Sequence, residues 1–277
     1  MGLDDKSAIA WTGRGAALER LGRYEDALKA HRRAIELNPK LALAWTNKGA
    51  ALANMRRYDE ALQAHERAIE LEPHLALAWA NRGMVFGAQG HYARALEACE
   101  KALDKDQQFA GAWMNKGAVL IDLDRAEEGL EALEEALQLN PKLLDAWKNK
   151  GIALEKLGRF EEALVAIGES LTLNPKDAGL WSSRAVVLLG LERPEDALSS
   201  LEKAIELDPQ FDRAWYNKAC AHGFLGDKPA MLDALEKAIE LNPEYKEKAK
   251  TDEDFEPYRD DPDFQELVGE ELSSSSE

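Results

Sequence analysis

Cysteine is scarce: Cys99 and Cys220 are the only two in 277 residues, and they form no CxxC pair. That excludes a disulfide framework and suits a reducing compartment. No apolar run reaches the roughly 18 residues of a membrane span, so membrane insertion is not expected. The opening MGLDDKSAIA lacks a cationic stretch followed by an apolar one, so a secretory leader is not expected either. The expected location is cytoplasmic. Basic residues are outnumbered, 35 against 52 acidic, for a net charge of −17. Nucleic acid is therefore a poor partner, because its binding rests on Lys and Arg neutralising phosphates. Catalytic motifs are missing as well. There is no Gly-rich phosphate loop, no HExxH and no GxSxG, so neither enzymatic activity nor a cofactor is expected.

What the sequence does have is a period. Trp11, Trp45, Trp79, Trp113, Trp147, Trp181 and Trp215 are spaced by 34 residues without interruption. Gly15, Gly49, Gly83, Gly117 and Gly151 follow their tryptophans by four positions, and Ala185 and Ala219 continue that row. Ala27, Ala61, Ala95, Ala163 and Ala197 lie at +16, and prolines from Pro39 to Pro243 lie at +28, where Gln107 is the one exception. A strict period in this range marks a solenoid of one repeated supersecondary unit. The unit reads as two helices. Residues 42–55 are helix formers, Arg56-Arg57 is a polar turn, and Tyr58 to Leu71 places apolar residues at i, i+3 and i+4 until Pro73 ends the helix. Gly or Ala at +4 leaves room for the partner helix, and Ala at +16 is expected to meet that gap.

The pattern W-x-N-K-G-x-A-L…G-R-Y-x-E-A-L…A-I-E-L-N-P resembles the tetratricopeptide repeat (TPR) family, in seven copies: 8–41, 42–75, 76–109, 110–143, 144–177, 178–211 and 212–245. The resemblance implies an all-α, right-handed superhelical α-solenoid of antiparallel helix pairs, with the first helix of each pair lining a concave groove. Residues 1–7 are expected as a tail, 246–268 as a C-terminal capping segment anchored by Phe255, Tyr258, Phe264 and Leu267, and 269–277 as a disordered acidic and Ser-rich tail. An end repeat needs a polar cover for its open apolar face. An acidic interaction tail is the alternative for this end.

Positions −2, +1, +5 and +8 from each Trp share a helix face, which the resemblance assigns to the groove. Leu43, Thr46, Ala50, Leu77, Met84, Met114 and Ile121 make its first half apolar, and Lys148 and Ile152 continue it. Such a surface suits a peptide or amphipathic helix, although rows at this spacing also pack between repeats. The +2 row holds Asn47, Asn81, Asn115, Asn149 and Asn217, whose amides both donate and accept. It looks like the asparagine ladder of O-linked N-acetylglucosamine transferase. A ladder against a ligand backbone and hydrogen bonds between repeats are both consistent with it. The carboxylate clamp of chaperone-binding TPRs is not carried over, because Ile152, Ser183 and Asn217 take places that need Asn, Asn and Arg.

Position +3 is basic in all seven copies, from Arg14 to Lys218. Either the stems pack between helices and the heads reach a carboxylate row such as Glu36, Glu70, Glu206 and Glu240, or the row forms a stripe for acidic ligands. His31, His65 and Cys99 share position +20, a row that Leu133 and Ile167 continue, so it reads as interior packing and not as metal ligands. The function expected is a non-enzymatic scaffold binding other proteins or peptides in the concave groove. The alternative is a self-associating solenoid forming homo-oligomers.

Overall fold

The computed structural model describes residues 6–269. Among them there are helices and turns but no strand. Seven hairpins follow in order: α1 (Ala8–Arg20) and α2 (Tyr24–Leu37), α3 (Ala42–Asn54) and α4 (Tyr58–Leu71), α5 (Ala76–Ala88) and α6 (Tyr92–Lys105), α7 (Ala110–Asp122) and α8 (Ala126–Leu139). They continue with α9 (Leu144–Lys156) and α10 (Phe160–Leu173), α11 (Ala178–Gly190) and α12 (Pro194–Leu207), and α13 (Asp212–Phe224) and α14 (Lys228–Leu241). The contacts divide the chain into two compact units, one ending at Asn149 and one beginning at Lys150, so the division falls inside α9. The uniform period of the sequence carries no sign of that division.

In the first unit, each helix packs on its hairpin partner and then on the first helix of the next hairpin, and α1, α3, α5 and α7 also touch in succession. In the second unit, α11, α12, α13 and α14 repeat this arrangement. The core is small-residue packing around larger anchors: Leu28, Leu52 and Val85 with Trp45 and Tyr58 in the first unit, and Leu188 and Leu201 with Trp181 in the second.

The tryptophan row owes its strictness to two contacts. The indole N–H donates to the carbonyl six residues earlier: Trp45 to Pro39 and Trp147 to Pro141 at 2.9 Å, Trp79 to Pro73 at 3.1 Å, Trp215 to Pro209 at 3.0 Å. Trp113 reaches the Gln107 carbonyl at 2.9 Å. The missing proline is tolerated there because the bond uses the main-chain oxygen, not the ring. The +3 cation then lies over the same indole, at 4.9 Å for Arg14 on Trp11, 4.7 Å for Lys48 on Trp45 and 5.4 Å for Lys218 on Trp215. The Glu row proposed as its partner is taken locally instead, by Arg33, Arg67, Lys203 and Lys237 three residues before Glu36, Glu70, Glu206 and Glu240.

The gap left by glycine at +4 is filled chiefly by the +20 side chain, not by Ala at +16. A Cβ on Gly49 would lie 2.4 Å from the His65 ring, one on Gly15 2.2 Å from His31, and one on Gly117 2.6 Å from Leu133. The +16 residue adds only its carbonyl, as Ala95 does beside Gly83 at 3.1 Å. The turn at +11 is left-handed throughout: Gly22, Gly90, Gly158 and Gly226 have φ from 69° to 74°, and Arg56, Asp124 and Glu192 adopt 56° to 59°.

The last hairpin is followed by α15 (Tyr245–Thr251), a 3-10 turn (Glu253–Tyr258) and α16 (Pro262–Val268). Buried Ala249 stands in the tryptophan register, 34 residues after Trp215, so α15 is a shortened first helix of an eighth hairpin. Phe255, Phe264 and Val268 are buried with Met231, Leu235 and Tyr216, while Tyr258 and Leu267 pack at the margin. Lys228 bridges Asp261 at 2.5 Å and Asp263 at 2.7 Å. Of the tails expected at 1–7 and 269–277, residues 1–5 and 270–277 lie outside the described residues, while Ser7 caps the start of α1 and Gly269 the end of α16.

Candidate functional site

The exposed surface of the first helices is displaced from the face read in the sequence. At about 100° per residue, positions −2, +2, +5 and +9 fall within roughly 60° of one another, whereas +1 and +8 are rotated toward a neighbouring hairpin. Five of the seven +1 residues are interior, Thr12, Thr46, Ala80, Ser182 and Tyr216 being buried, while Met114 and Lys148 are half-buried at the margin of the open side. Thr46, expected in the groove, is fully enclosed, and its hydroxyl donates to the Ala42 carbonyl at 3.0 Å. Ile121, at +8, is likewise buried. Neither is available to a ligand, because the adjacent helices pack against that side.

The remaining residues of the first unit do lie on the open side. Leu43 is 42% exposed and Met84 45%, while Asn47, Ala50, Leu77, Asn81, Met114 and Asn115 are half-buried around them. Asn54, Ala88 and Asp122, at +9, are exposed on the same face and were missed. Steps of four, three and four from position −2 would have found them. Across α3 and α5 this surface carries no charge. Lys148 and Asn149 in the first unit, and Ile152 and Asn217 in the second, are half-buried.

The asparagine row splits into two kinds. Asn115 donates to the Ala80 carbonyl at 3.4 Å, and Asn217 to the Ser182 hydroxyl at 3.2 Å; each reaches 35 residues back to the +1 position of the preceding hairpin. The side-chain amides of Asn47 and Asn81 make no hydrogen bond among the described residues. They keep a full donor and acceptor set beside Leu43 and Met84.

In the second unit the +1, +5 and +8 side of α13 is covered by the chain itself, while Arg213 and Phe224, at −2 and +9, stay exposed. Tyr216 donates its hydroxyl to Asp252 at 2.7 Å, stacks on Tyr245 at 4.4 Å and meets Phe255 edge-on at 5.8 Å. Tyr258 donates to the Gly223 carbonyl at 2.9 Å. Cys220, at +5, is buried beneath this segment, and burial together with Asp254 pushes its thiol well above the usual range. Cys220, Asp252 and Asp254 are the one close group of potential metal ligands among the described residues. Asp252 already accepts the Tyr216 hydroxyl, and Cys220 is buried.

The buried histidines differ. His31 Nε2 lies 2.8 Å from Glu19 Oε1. His65 has neither ring nitrogen partnered, and desolvation, with Arg82 nearby, pushes its pKa down to about 4. Burial pushes the Cys99 thiol up to about 12. These groups are separate interior positions and form no catalytic cluster.

Models of the tetratricopeptide repeat match residues 8–41, 42–75, 76–109 and 144–177, and a second model of the same description matches 110–143, 178–211 and 212–245. The chain belongs to the tetratricopeptide repeat family. No curated protein matched the sequence. Solved structures do. YrrB, a TPR protein with an unusual peptide-binding site, is 28% identical over 68% of this chain and 96% of its own, with a TM-score of 0.52. Pseudomonas aeruginosa pilF is 22% identical over 76% of this chain and 97% of its own, with a TM-score of 0.66. The APC/C hetero-tetramer Cut9-Hcn1 is 20% identical over 84% of this chain but only 43% of the matched chain, with a TM-score of 0.72. The last two are like this TPR chain in fold. No helix among the described residues is long and apolar enough to cross a membrane.

Proposed function

We propose that this TPR protein is a non-enzymatic scaffold whose open face on α3 and α5 holds a peptide or amphipathic helix of another protein. The observation that carries this reading is the pairing of exposed Leu43 and Met84 with the unbonded amides of Asn47 and Asn81. Apolar contacts supply affinity, Met adapts to differing side chains, and two amides one repeat apart register a ligand backbone. The likeness to YrrB supports a peptide ligand, and the acidic composition favours protein partners over nucleic acid. Thr46 and Ile121 take no part in this face, since both are interior.

The test is titration calorimetry with peptides selected on the immobilised protein. Met84→Glu and Leu43→Glu place charge in the face and should each weaken binding at least tenfold while leaving helix content unchanged. Unaltered affinity in both variants rejects the face as the binding site.

A further inference from the structure

The third hairpin breaks a rule that most of the others keep. At the start of the second helix, five of the seven hairpins place an arginine three residues before a carboxylate and join the two. Arg23 meets Asp26 at 2.6 Å, Arg57 meets Glu60 at 2.7 Å, Arg125 meets Glu128 and Arg159 meets Glu162 at 2.6 Å, and Arg193 meets Asp196. The third hairpin has His91 and Arg94 in those places, so a cation replaces the acid. A second change accompanies the first. Phe86 stands where five hairpins have leucine, and the Arg94 guanidinium lies over its ring at 4.1 Å. Arg82 lies over the same ring at 5.3 Å and over Trp79 at 5.5 Å. Stacking on aromatic faces holds a guanidinium in place and leaves its N–H groups to donate.

The two arginines share a cleft of about 180 Å³ between α5 and α6 with Lys101 and Glu97. Lys101 is bound to Glu97 at 2.5 Å. Arg82 and Arg94 make no hydrogen bond or ion pair among the described residues, and Arg82 Nε is buried without a partner. Two guanidiniums are thus left with no counter-charge. In the first hairpin the corresponding cleft holds its own anion, since Asp26 accepts from Arg23 at 2.6 Å and from Lys29 at 3.1 Å. In the fourth hairpin that cleft is lined by Glu128, Glu131 and Glu135. The third keeps the cations and lacks the carboxylate at this position.

We propose that the α5–α6 cleft binds a phosphate monoester carried on a side chain of a partner protein. A phosphorylated side chain brings about two negative charges at pH 7, matching two guanidiniums, whereas a carboxylate brings one. Guanidinium groups meet phosphate oxygens in paired hydrogen bonds. The cleft is smaller than the roughly 300–1,000 Å³ of small-molecule pockets, so it takes the phosphate and leaves the rest of the carrier outside. The net charge of −17 opposes an anion at long range, and affinity therefore rests on contacts within the cleft. The site stands apart from the peptide-binding reading, since neither Leu43 nor Met84 lines it.

Titration calorimetry of the full chain at low salt tests this, using phosphoserine peptides with varied flanking residues, their serine counterparts and inorganic phosphate. The best phosphoserine peptide should bind one to one, at least tenfold more tightly than its serine counterpart and than inorganic phosphate, and should weaken as salt is raised. The double variant His91→Arg with Arg94→Glu rebuilds the pair that five hairpins use, and Arg94→Gln removes only the charge. Circular dichroism shows that each is folded, and each should bind that peptide at least tenfold more weakly, while Leu43→Glu binds it like wild type. The proposal is overturned if no phosphoserine peptide exceeds its serine counterpart, if inorganic phosphate binds as tightly as the best peptide, or if either folded Arg94 variant binds like wild type.

Discussion

The amide of Asn115 donates to the carbonyl of Ala80, and that single contact reassigns part of a row from ligand recognition to inter-hairpin support. A net hydrogen bond contributes about 1 kcal/mol to stability. Asn115→Ala should therefore lower the unfolding free energy by about that amount, while Asn47→Ala, with no such bond, should leave the urea midpoint in place. Equal losses in the two variants would show that the distinction between them is wrong.

His65 makes stability depend on pH. Its folded pKa, about 4, lies below the ordinary 6.5, so the unfolded chain binds more protons in that interval. Stability is therefore highest above pH 6.5, declines as pH falls toward 4 and flattens below it, a penalty of about 3 kcal/mol in full. His65→Leu should remove this slope, since Leu133 already fills the same position against Gly117. Urea unfolding of both proteins at pH 7 and pH 5 measures it, and matching slopes would discard His65 as the source.

Phe255 and Cys220 are buried in the same cluster at the C-terminal segment. Removing a fully buried Phe costs about 3–5 kcal/mol, concentrated in the segment that it anchors. Phe255→Ala should make Cys220 reactive toward a thiol reagent while Cys99 stays protected as an internal control. The readout is a count of modified cysteines by mass spectrometry; a Cys220 that stays unlabelled means the cover does not depend on Phe255.

Lys48 lies over the Trp45 ring. Lys48→Met keeps the aliphatic stem and removes the charge, so the expected loss is about 0.5–1 kcal/mol. Thermal unfolding detects it. An unchanged transition would reduce the basic row to solubility alone.

Much of this was legible in the sequence, because a 34-residue period with Trp, Gly, Ala and Pro in register specifies both the hairpin and its neighbour contacts. The cover over α13 was legible too, through Phe255, Tyr258 and Phe264 in an otherwise acidic stretch. The lateral position of the open face was not. Helices α3 and α5 carry apolar residues on more than one side, since each packs on its own partner, the preceding hairpin and the following one. Thr46 and Asn47 differ by one residue, about 100° of helix, and only the neighbouring helices decide which is enclosed. The cation row misled for a similar reason: its partner, the indole three residues earlier, is apolar and offers no charge pattern to read.

The left-handed turns leave a margin unspent. Arg56, Asp124 and Glu192 hold a conformation disfavoured by about 1–2 kcal/mol for residues with a side chain, at elbows where the other hairpins use glycine. Evolution toward hotter conditions thus has three independent sites at hand, none of them a residue proposed to touch a ligand, where tolerance to heat could rise.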